Sequence, residues 1–282
     1  MTPYNKLTEE DVSSIVNLYY QMKSFREISE ELQVSRRSIP RILVELGINT
    51  NLKNRYTLND DYFDKIDEPE KAYWLGFIYA DGYVGGEDTN SIVITLSEVD
   101  KNHLEKFKDT ISYTGEIRNA GKGGFENSKN RYSINFSSKK MASDLRGLGL
   151  YPGKSTTMES IPELPKSLIR HFIRGYFDGD GSVYQQRNHS TYKDKEYVYQ
   201  KIIVSMIGTR LFLEDIKSHM SFSSDFKSSR TKEVEYIRFY GVSEMKKIYR
   251  FFYKDSSVYL ERKFNKFTGL LGPLVSQDAL NN

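Results

Sequence analysis

Apolar side chains recur at helical spacing three times between residues 8 and 47. The runs are Val12, Ile15, Val16 and Tyr19, then Phe25, Ile28 and Leu32, then Ile39, Ile42, Leu43 and Leu46. Thr8, Ser24 and Ser35 precede the runs as N-cap candidates, and Ser24 with Glu27 forms a capping box. Three short helices are therefore expected. Pro40 is out of place in a helix capped by Ser35, because it lacks the N–H of an early hydrogen bond, so this helix starts later or bends. Residues 51–70, polar and closed by a run of acids from Asp60 to Glu70, read as a linker.

From residue 71 the pattern repeats at an offset near 100 residues. In the first copy Ile92, Ile94 and Leu96 alternate with Thr95 and Ser97, and Tyr132, Ile134 and Phe136 with Arg131, Ser133 and Asn135. In the second, Ile202, Val204 and Met206 alternate with Lys201 and Ser205, and Ile237 and Phe239 with Arg238 and Tyr240. Period-2 alternation of this kind predicts strands with one wet face. Helical runs at Leu104–Ile111, Lys139–Leu148, Leu211–Met220 and Val242–Tyr253 separate and follow them. Each copy thus reads helix, two strands, helix, two strands, helix.

Composition narrows the chemistry. The 282 residues hold no Cys, which removes disulfide scaffolds, Cys-ligated metals and thiol nucleophiles and suits a reducing compartment. The longest apolar stretch, Ala72 to Ala80, falls short of the roughly 20 residues a membrane helix needs, and no signal-peptide segment opens the chain. A cytoplasmic protein without membrane contact is expected. The net charge is only +3, but residues 151–282 carry 21 basic against 15 acidic residues. His103, His171, His189 and His219 form no metal-binding motif and read as ordinary polar positions. Gly153-Lys154-Ser155 ends like a phosphate-binding loop, but Leu148 stands where such a loop requires Gly.

The repeat is sharpest at Trp74-Leu-Gly-Phe-Ile-Tyr-Ala-Asp-Gly82 and Ile173-Arg-Gly-Tyr-Phe-Asp-Gly-Asp-Gly181. Gly76 and Ala80, like Gly175 and Gly179, lie four residues apart on one helical face, so two such helices can pack with their backbones close. Gly82 and Gly181 are expected to supply a left-handed helix stop. Asp81 and Asp180 then sit at adjacent helix C-termini, where the macrodipole and their mutual repulsion both oppose ionisation. A divalent cation reverses both effects, and Mg²⁺ takes carboxylate and carbonyl oxygens together with water and substrate phosphate. The arrangement suits phosphodiester hydrolysis.

These two segments resemble the paired motifs of the LAGLIDADG homing endonucleases in their single-chain, two-motif form, over residues 71 to about 268. The resemblance implies an α+β fold of two pseudo-symmetric αββαββα halves, residues 71–153 and 154–282, with saddle-shaped antiparallel sheets over the DNA major groove. It implies that Asp81 and Asp180 bind Mg²⁺ or another divalent cation such as Mn²⁺, with the carbonyls of Ala80 and Gly179 as backbone ligands. Lys154 and Lys263 match the cleft lysines that stabilise charge or order water. Trp74, Tyr79, Arg174 and Tyr176 depart from the motif, while its acid and small positions remain.

The wet strand faces offer Arg118, Arg131, Ser133, Asn135, Lys201, Arg238 and Tyr240 to base edges or phosphates. Residues 1–50 resemble a helix-turn-helix module presenting Arg36, Arg37 and Arg41 to DNA, although a small helical bundle with a solvated basic face has the same pattern. The expectation is a monomeric, metal-dependent, site-specific double-strand DNA endonuclease of a mobile element, with a long asymmetric target. A non-cleaving transcription regulator on the same scaffold and an RNA maturase for intron splicing stay open as alternatives.

Overall fold

A computed structural model of the chain describes residues 7–21, 23–50, 56–124, 128–192, 195–231 and 233–272. They form two compact units. One comprises the described residues up to Asn59 with Lys108–Ile117, and the other comprises Asp60–Phe107 with the described residues from Arg118 on.

In the first unit, helices α1 (Glu9–Tyr20), α2 (Phe25–Leu32) and α3 (Ser38–Glu45) enclose Ile15, Leu18, Tyr19, Ile28, Val34, Ile39, Ile42 and Leu43. Thr8 and Ser24 cap the first two helices in capping boxes with Asp11 and Glu27. The third helix departs from the sequence reading. Ser35 does not cap it: the chain turns first, with Ser38 N donating to Ser35 O at 2.9 Å, and the helix begins at Ser38 with no side-chain cap. Pro40 thereby falls in the first turn, where its missing N–H leaves no hydrogen bond unmade. Between α2 and α3, Gln33 takes the left-handed conformation at φ 54° and the buried Ser29 hydroxyl donates to Val34 O at 2.7 Å. The segment Lys108–Ile117 joins this unit through Thr114 N to Thr57 O at 3.0 Å and Asn59 N to Ile111 O at 2.8 Å.

The second unit is built on two long helices, α4 (Pro69–Asp81) and α7 (Lys166–Asp180). Every residue of α4 from Ala72 to Tyr79 is buried, the mark of a helix surrounded by protein. It is followed by β1 (Gly82–Val84), β2 (Ser91–Ser97), α5 (Lys101–Thr110, of which Lys108–Thr110 belong to the first unit), β3 (Arg118–Lys122), β4 (Asn130–Ser137) and α6 (Lys139–Gly147). The same succession follows α7: β5 (Gly181–Tyr192), β6 (Lys195–Gly208), α8 (Arg210–Met220), β7 (Ser224–Ser228), β8 (Glu235–Tyr240) and α9 (Val242–Tyr253). A further helix, α10 (Glu261–Leu271), closes the described chain. Two four-stranded antiparallel sheets result, ordered β1-β2-β4-β3 and β5-β6-β8-β7.

Strand register separates a dry face from a wetter one, although on β6 the expected alternation fails: Ile203 and Ser205, on the side of Arg238 and Tyr240, are buried, and Ile202 is half-buried. Ile92, Ile94, Leu96, Ile134 and Phe136 of the first sheet, and Val183, Val204, Met206, Ile237 and Phe239 of the second, point into the core. From Asp60 on, the stretch read as a linker packs as well, with Tyr62, Phe63 and Ile66 buried. No helix among the described residues is long and apolar enough to cross a membrane.

Candidate functional site

The site is set by how closely α4 and α7 approach. A methyl group on Gly76 would overlap the carbonyl of Phe172, and one on Gly175 would overlap the carbonyl of Tyr73. The pairs are reciprocal, as a pseudo-twofold axis between the helices requires. Farther along, a methyl on Gly179 would meet Ala80 Cβ and come within 3.2 Å of Asp81 Oδ2. Small residues at these positions bring the last turns of both helices together, and with them Asp81 and Asp180.

Neither helix stops by a left-handed glycine. Gly82 and Gly181 are extended, at φ −86° and −90°, and each begins a strand directly. Glycine is needed there for space: a Cβ on Gly82 would lie 2.8 Å from Ile78 O, and one on Gly181 would collide with Phe177. The helix-to-strand reversal within one residue fixes each acid at the junction of helix and sheet.

Asp81 is exposed and Asp180 half-buried, so the notch between the helix tips opens to solvent. Desolvation by the protein around it, and then the nearby Asp180, push the Asp81 carboxyl up to about 6, opposed by Lys263 and Lys154. Desolvation likewise raises Asp180, against the same two lysines. Among the described residues neither carboxylate makes a hydrogen bond or an ion pair. The two lysines are buried instead. Lys154 Nζ donates to Ala80 O at 3.3 Å, while Lys263 Nζ donates to Gly179 O at 2.8 Å and Phe177 O at 2.7 Å. Burial lowers both ammonium groups, Lys263 to about 8. All six residues read as the centre of the site, Asp81, Asp180, Ala80, Gly179, Lys154 and Lys263, therefore come together.

The donors suit a hard divalent cation: two carboxylates without partners among the described residues, beside two carbonyl oxygens that each accept from a lysine ammonium and keep a second lone pair, with no nitrogen or sulfur ligand among them. No group of three or more His, Asp or Glu that could hold a metal occurs among the described residues. A cation here would complete its shell with water and substrate oxygens, as Mg²⁺ commonly does.

Beneath the site lies a buried polar network that the sequence reading did not assign. Tyr73 OH donates to Asp178 Oδ2 at 2.8 Å and lies 2.8 Å from His103 Nε2, and Leu260 N donates to the same Asp178 oxygen at 2.7 Å. Since the single Tyr73 proton goes to Asp178, His103 donates from Nε2. Desolvation, reinforced by Lys106 and Lys263, lowers His103 to about 3, so it is neutral. Arg174 donates to Phe252 O at 3.0 Å and to His171 Nδ1 at 2.7 Å. His103 and His171 are thus buried structural groups, whereas His189 and His219 are exposed. Asp178 stands in the Asp-Gly repeat, and the different residue at its first-copy counterpart, Tyr79, is the signal in the sequence that the two positions act differently.

The wet faces gather the other candidates. Arg118 opposite Ser133, with Arg131 and Asn135 on the same strand, lie on the face of the first sheet away from Ile134 and Phe136. In the second sheet Lys201, Arg238 and Tyr240 share the face away from Val204 and Met206. Lys201 Nζ lies 5.2 Å from the Tyr240 ring centre. Arg238 is held by Asp225 in a two-pronged ion pair at 2.9 and 2.8 Å. In the N-terminal unit Arg36, Arg37 and Arg41 are exposed around the start of α3.

Residues 167–201, which include the second Asp-Gly repeat, match the family model of the LAGLIDADG-like domain. In structure the chain is similar to a lysine-to-alanine variant of I-SmaMI, a meganuclease, with a TM-score of 0.52 at 15% identity over 76% of this chain and 92% of that one. A second I-SmaMI variant gives 0.51 at 15% identity over 75% and 92%. The LAGLIDADG meganuclease I-AabMI, bound to uncleaved DNA, gives 0.49 at 16% identity over 76% and 93%. No curated protein matches the chain in sequence. The resemblance read from the paired motifs holds: the chain has the fold of the LAGLIDADG homing endonucleases.

Proposed function

We propose that this chain is a site-specific double-strand DNA endonuclease that hydrolyses one phosphodiester bond of each strand at the paired helix tips with the help of divalent cations. The observation that carries the reading is the convergence of two unpartnered carboxylates, Asp81 and Asp180, in a solvent-open notch flanked by Lys154 and Lys263. Repulsion and desolvation make the notch unfavourable for the isolated fold, which is the expected cost of a site organised for a bound cation and a phosphate.

Asp81 and Asp180 hold the cations, each serving one scissile strand, and the carbonyls of Ala80 and Gly179 lie within the same set of donors. Bound there, Mg²⁺ or Mn²⁺ supplies polarisation of the phosphate and a more acidic water. Lys154 and Lys263, tucked under the notch, place positive charge close to where negative charge builds. No protein nucleophile is required. The wet faces of both sheets, with Arg118, Arg131, Ser133, Asn135, Lys201, Arg238 and Tyr240, take the flanking DNA, and their inequality makes the target asymmetric. The N-terminal helical unit adds Arg36, Arg37 and Arg41 to the contacts in the manner of a helix-turn-helix. Two complete sites on one chain suit action as a monomer.

The test uses DNA recovered by binding selection with the intact chain. With Mg²⁺ the chain cuts both strands, whereas Asp81→Asn and Asp180→Asn each bind the same DNA and give no double-strand break. Binding without cutting by the unmodified chain, with Mg²⁺ or Mn²⁺, identifies a regulator instead. Full double-strand cutting by either variant removes the acids from the mechanism.

A further inference from the structure

We propose that Tyr79 and Asp178, the residues two before each acid, are the positioning residues for the two buried lysines and act on them with opposite hydrogen-bond polarity. The inference deepens the reading of the notch as an active site. In the second half, Asp178 Oδ2 accepts from the backbone N–H of Leu260, the N-cap of α10, at 2.7 Å. Lys263 sits in the first turn of that helix, and its ammonium donates to the carbonyls of Phe177 and Gly179 on either side of Asp178. One short stretch of α7 therefore grips both the start of α10 and the end of its lysine.

The first half reaches the same result with another side chain. Tyr79 is 3% exposed, and its hydroxyl donates to the carbonyl of Leu148, at the end of α6 and six residues before Lys154. Gly149, at φ +95°, passes close enough that a Cβ there would strike the Tyr79 hydroxyl. Lys154 then opens a short 3-10 turn after Gly153 at φ +81° and returns to Ala80 O, one residue beyond Tyr79. A donor at position 79 meets a carbonyl, and an acceptor at 178 meets an N–H. The bulky departure from the motif at Tyr79 thus replaces a carboxylate tether with a phenol tether suited to a lysine on a loop.

The tethers can be read in the protein without DNA or metal. Reductive methylation followed by mass spectrometry reports how readily each lysine amine leaves its carbonyl. In the unmodified chain Lys154 and Lys263 react more slowly than exposed lysines. Tyr79→Phe keeps the ring and removes the donor, so labelling of Lys154 accelerates about tenfold while Lys263 is unchanged. Asp178→Leu does the reverse, and Asp178→Asn, which keeps an acceptor oxygen but loses the charge that favours the Lys263 ammonium, labels Lys263 faster than the parent and more slowly than Asp178→Leu. Acceleration of both lysines together by either variant, or of neither, overturns the proposal. Because no cleavage is involved, an absence of nuclease activity would leave this result standing and count only against the proposed function. Where the chain does cut, end-labelled duplex shows Tyr79→Phe slowing the strand most affected by Lys154→Met, and Asp178→Leu the strand most affected by Lys263→Met.

Discussion

The ammonium of Lys263 lies 2.8 Å from the carbonyl oxygen of Gly179, the residue that immediately precedes Asp180. Lys154 stands in the same relation to Ala80 and Asp81. Each lysine is thus fixed through the peptide that carries its acid, without touching the acid itself. Replacing Lys263 by Met keeps the buried stem and removes the charge. Cleavage should fall by about 10² in rate, as when one preorganised electrostatic group is lost, with DNA binding little changed. Single-turnover assays at saturating protein separate the two, and an unchanged rate would remove Lys263 from the chemistry.

The raised carboxyl of Asp81 makes a prediction about stability in EDTA. Its folded value of about 6 exceeds the ordinary 3.8, so the fold holds the proton more tightly than the unfolded chain does. This contribution is favourable below the ordinary value and is lost as pH rises through about 6. Asp81→Asn removes the dependence. Melting curves should show the variant more stable than the parent at pH 7–8, with the gap closing toward pH 4. His103 and His171, both held near 3, destabilise the parent and the variant alike as pH falls below about 6.5, so they cancel in the difference.

Competition between protons and metal follows from the same group. Thermal stabilisation of the intact chain by Mg²⁺ or Ca²⁺ should be largest at pH 7–8 and weaken as pH falls through about 6. In Asp81→Asn it should be reduced at every pH. A stabilisation independent of both pH and this substitution would place the cation elsewhere.

Gly175→Ala tests the helix contact that creates the notch. The added methyl would overlap Tyr73 O, backbone of the partner helix, which cannot step aside as a side chain would. The expected loss is about 2–3 kcal/mol by chemical denaturation, at the high end for overpacking. Gly269→Ala, where a Cβ meets nothing within 4 Å, is the control.

The halves differ most in their first hairpins. Strand β1 pairs with β2 over Gly82–Val84, whereas β5 and β6 stay paired from Gly181 to Tyr192, well beyond the last β8 partner at Ile203. The wet face continues outward through Gln186 opposite Lys201 and Asn188 opposite Tyr199. Replacing residues 188–199 by an Asn-Gly turn should shorten the DNase footprint by about four base pairs on one side only. Shortening on both sides, or on neither, would exclude the ribbon from DNA contact.

The sequence disclosed more of the site than of the structure that supports it. The paired Asp-Gly segments located Asp81 and Asp180 because close helix packing leaves a repeated small-residue spacing. Strands β2, β4 and β8 are legible from clean alternation, and β6 less so, since Ile203 to Met206 are all buried. Strand β5 is not, since from Gln185 on it carries polar residues on both faces. The sequence pattern predicts no helix at α10, although it carries Lys263, and gives Asp178 no role. Its partners Tyr73 and Leu260 lie 105 and 82 residues away, and no local pattern records such a meeting. The expected left-handed glycines proved extended because a Gly-containing helix end has two explanations, backbone angle and lack of room, and sequence alone does not separate them.

Each acid is separated from a β-strand by a single peptide bond, with no loop at Gly82 or Gly181 to absorb slack. In the proposed reaction the molecule would work as a ruler: the offset between base pairs lying on a sheet and the bond presented to an acid would be a fixed covalent length. In that reaction substitutions on the wet faces would change which DNA is chosen while leaving where it breaks untouched, whereas one residue inserted after Asp81 or Asp180 would shift the scale itself.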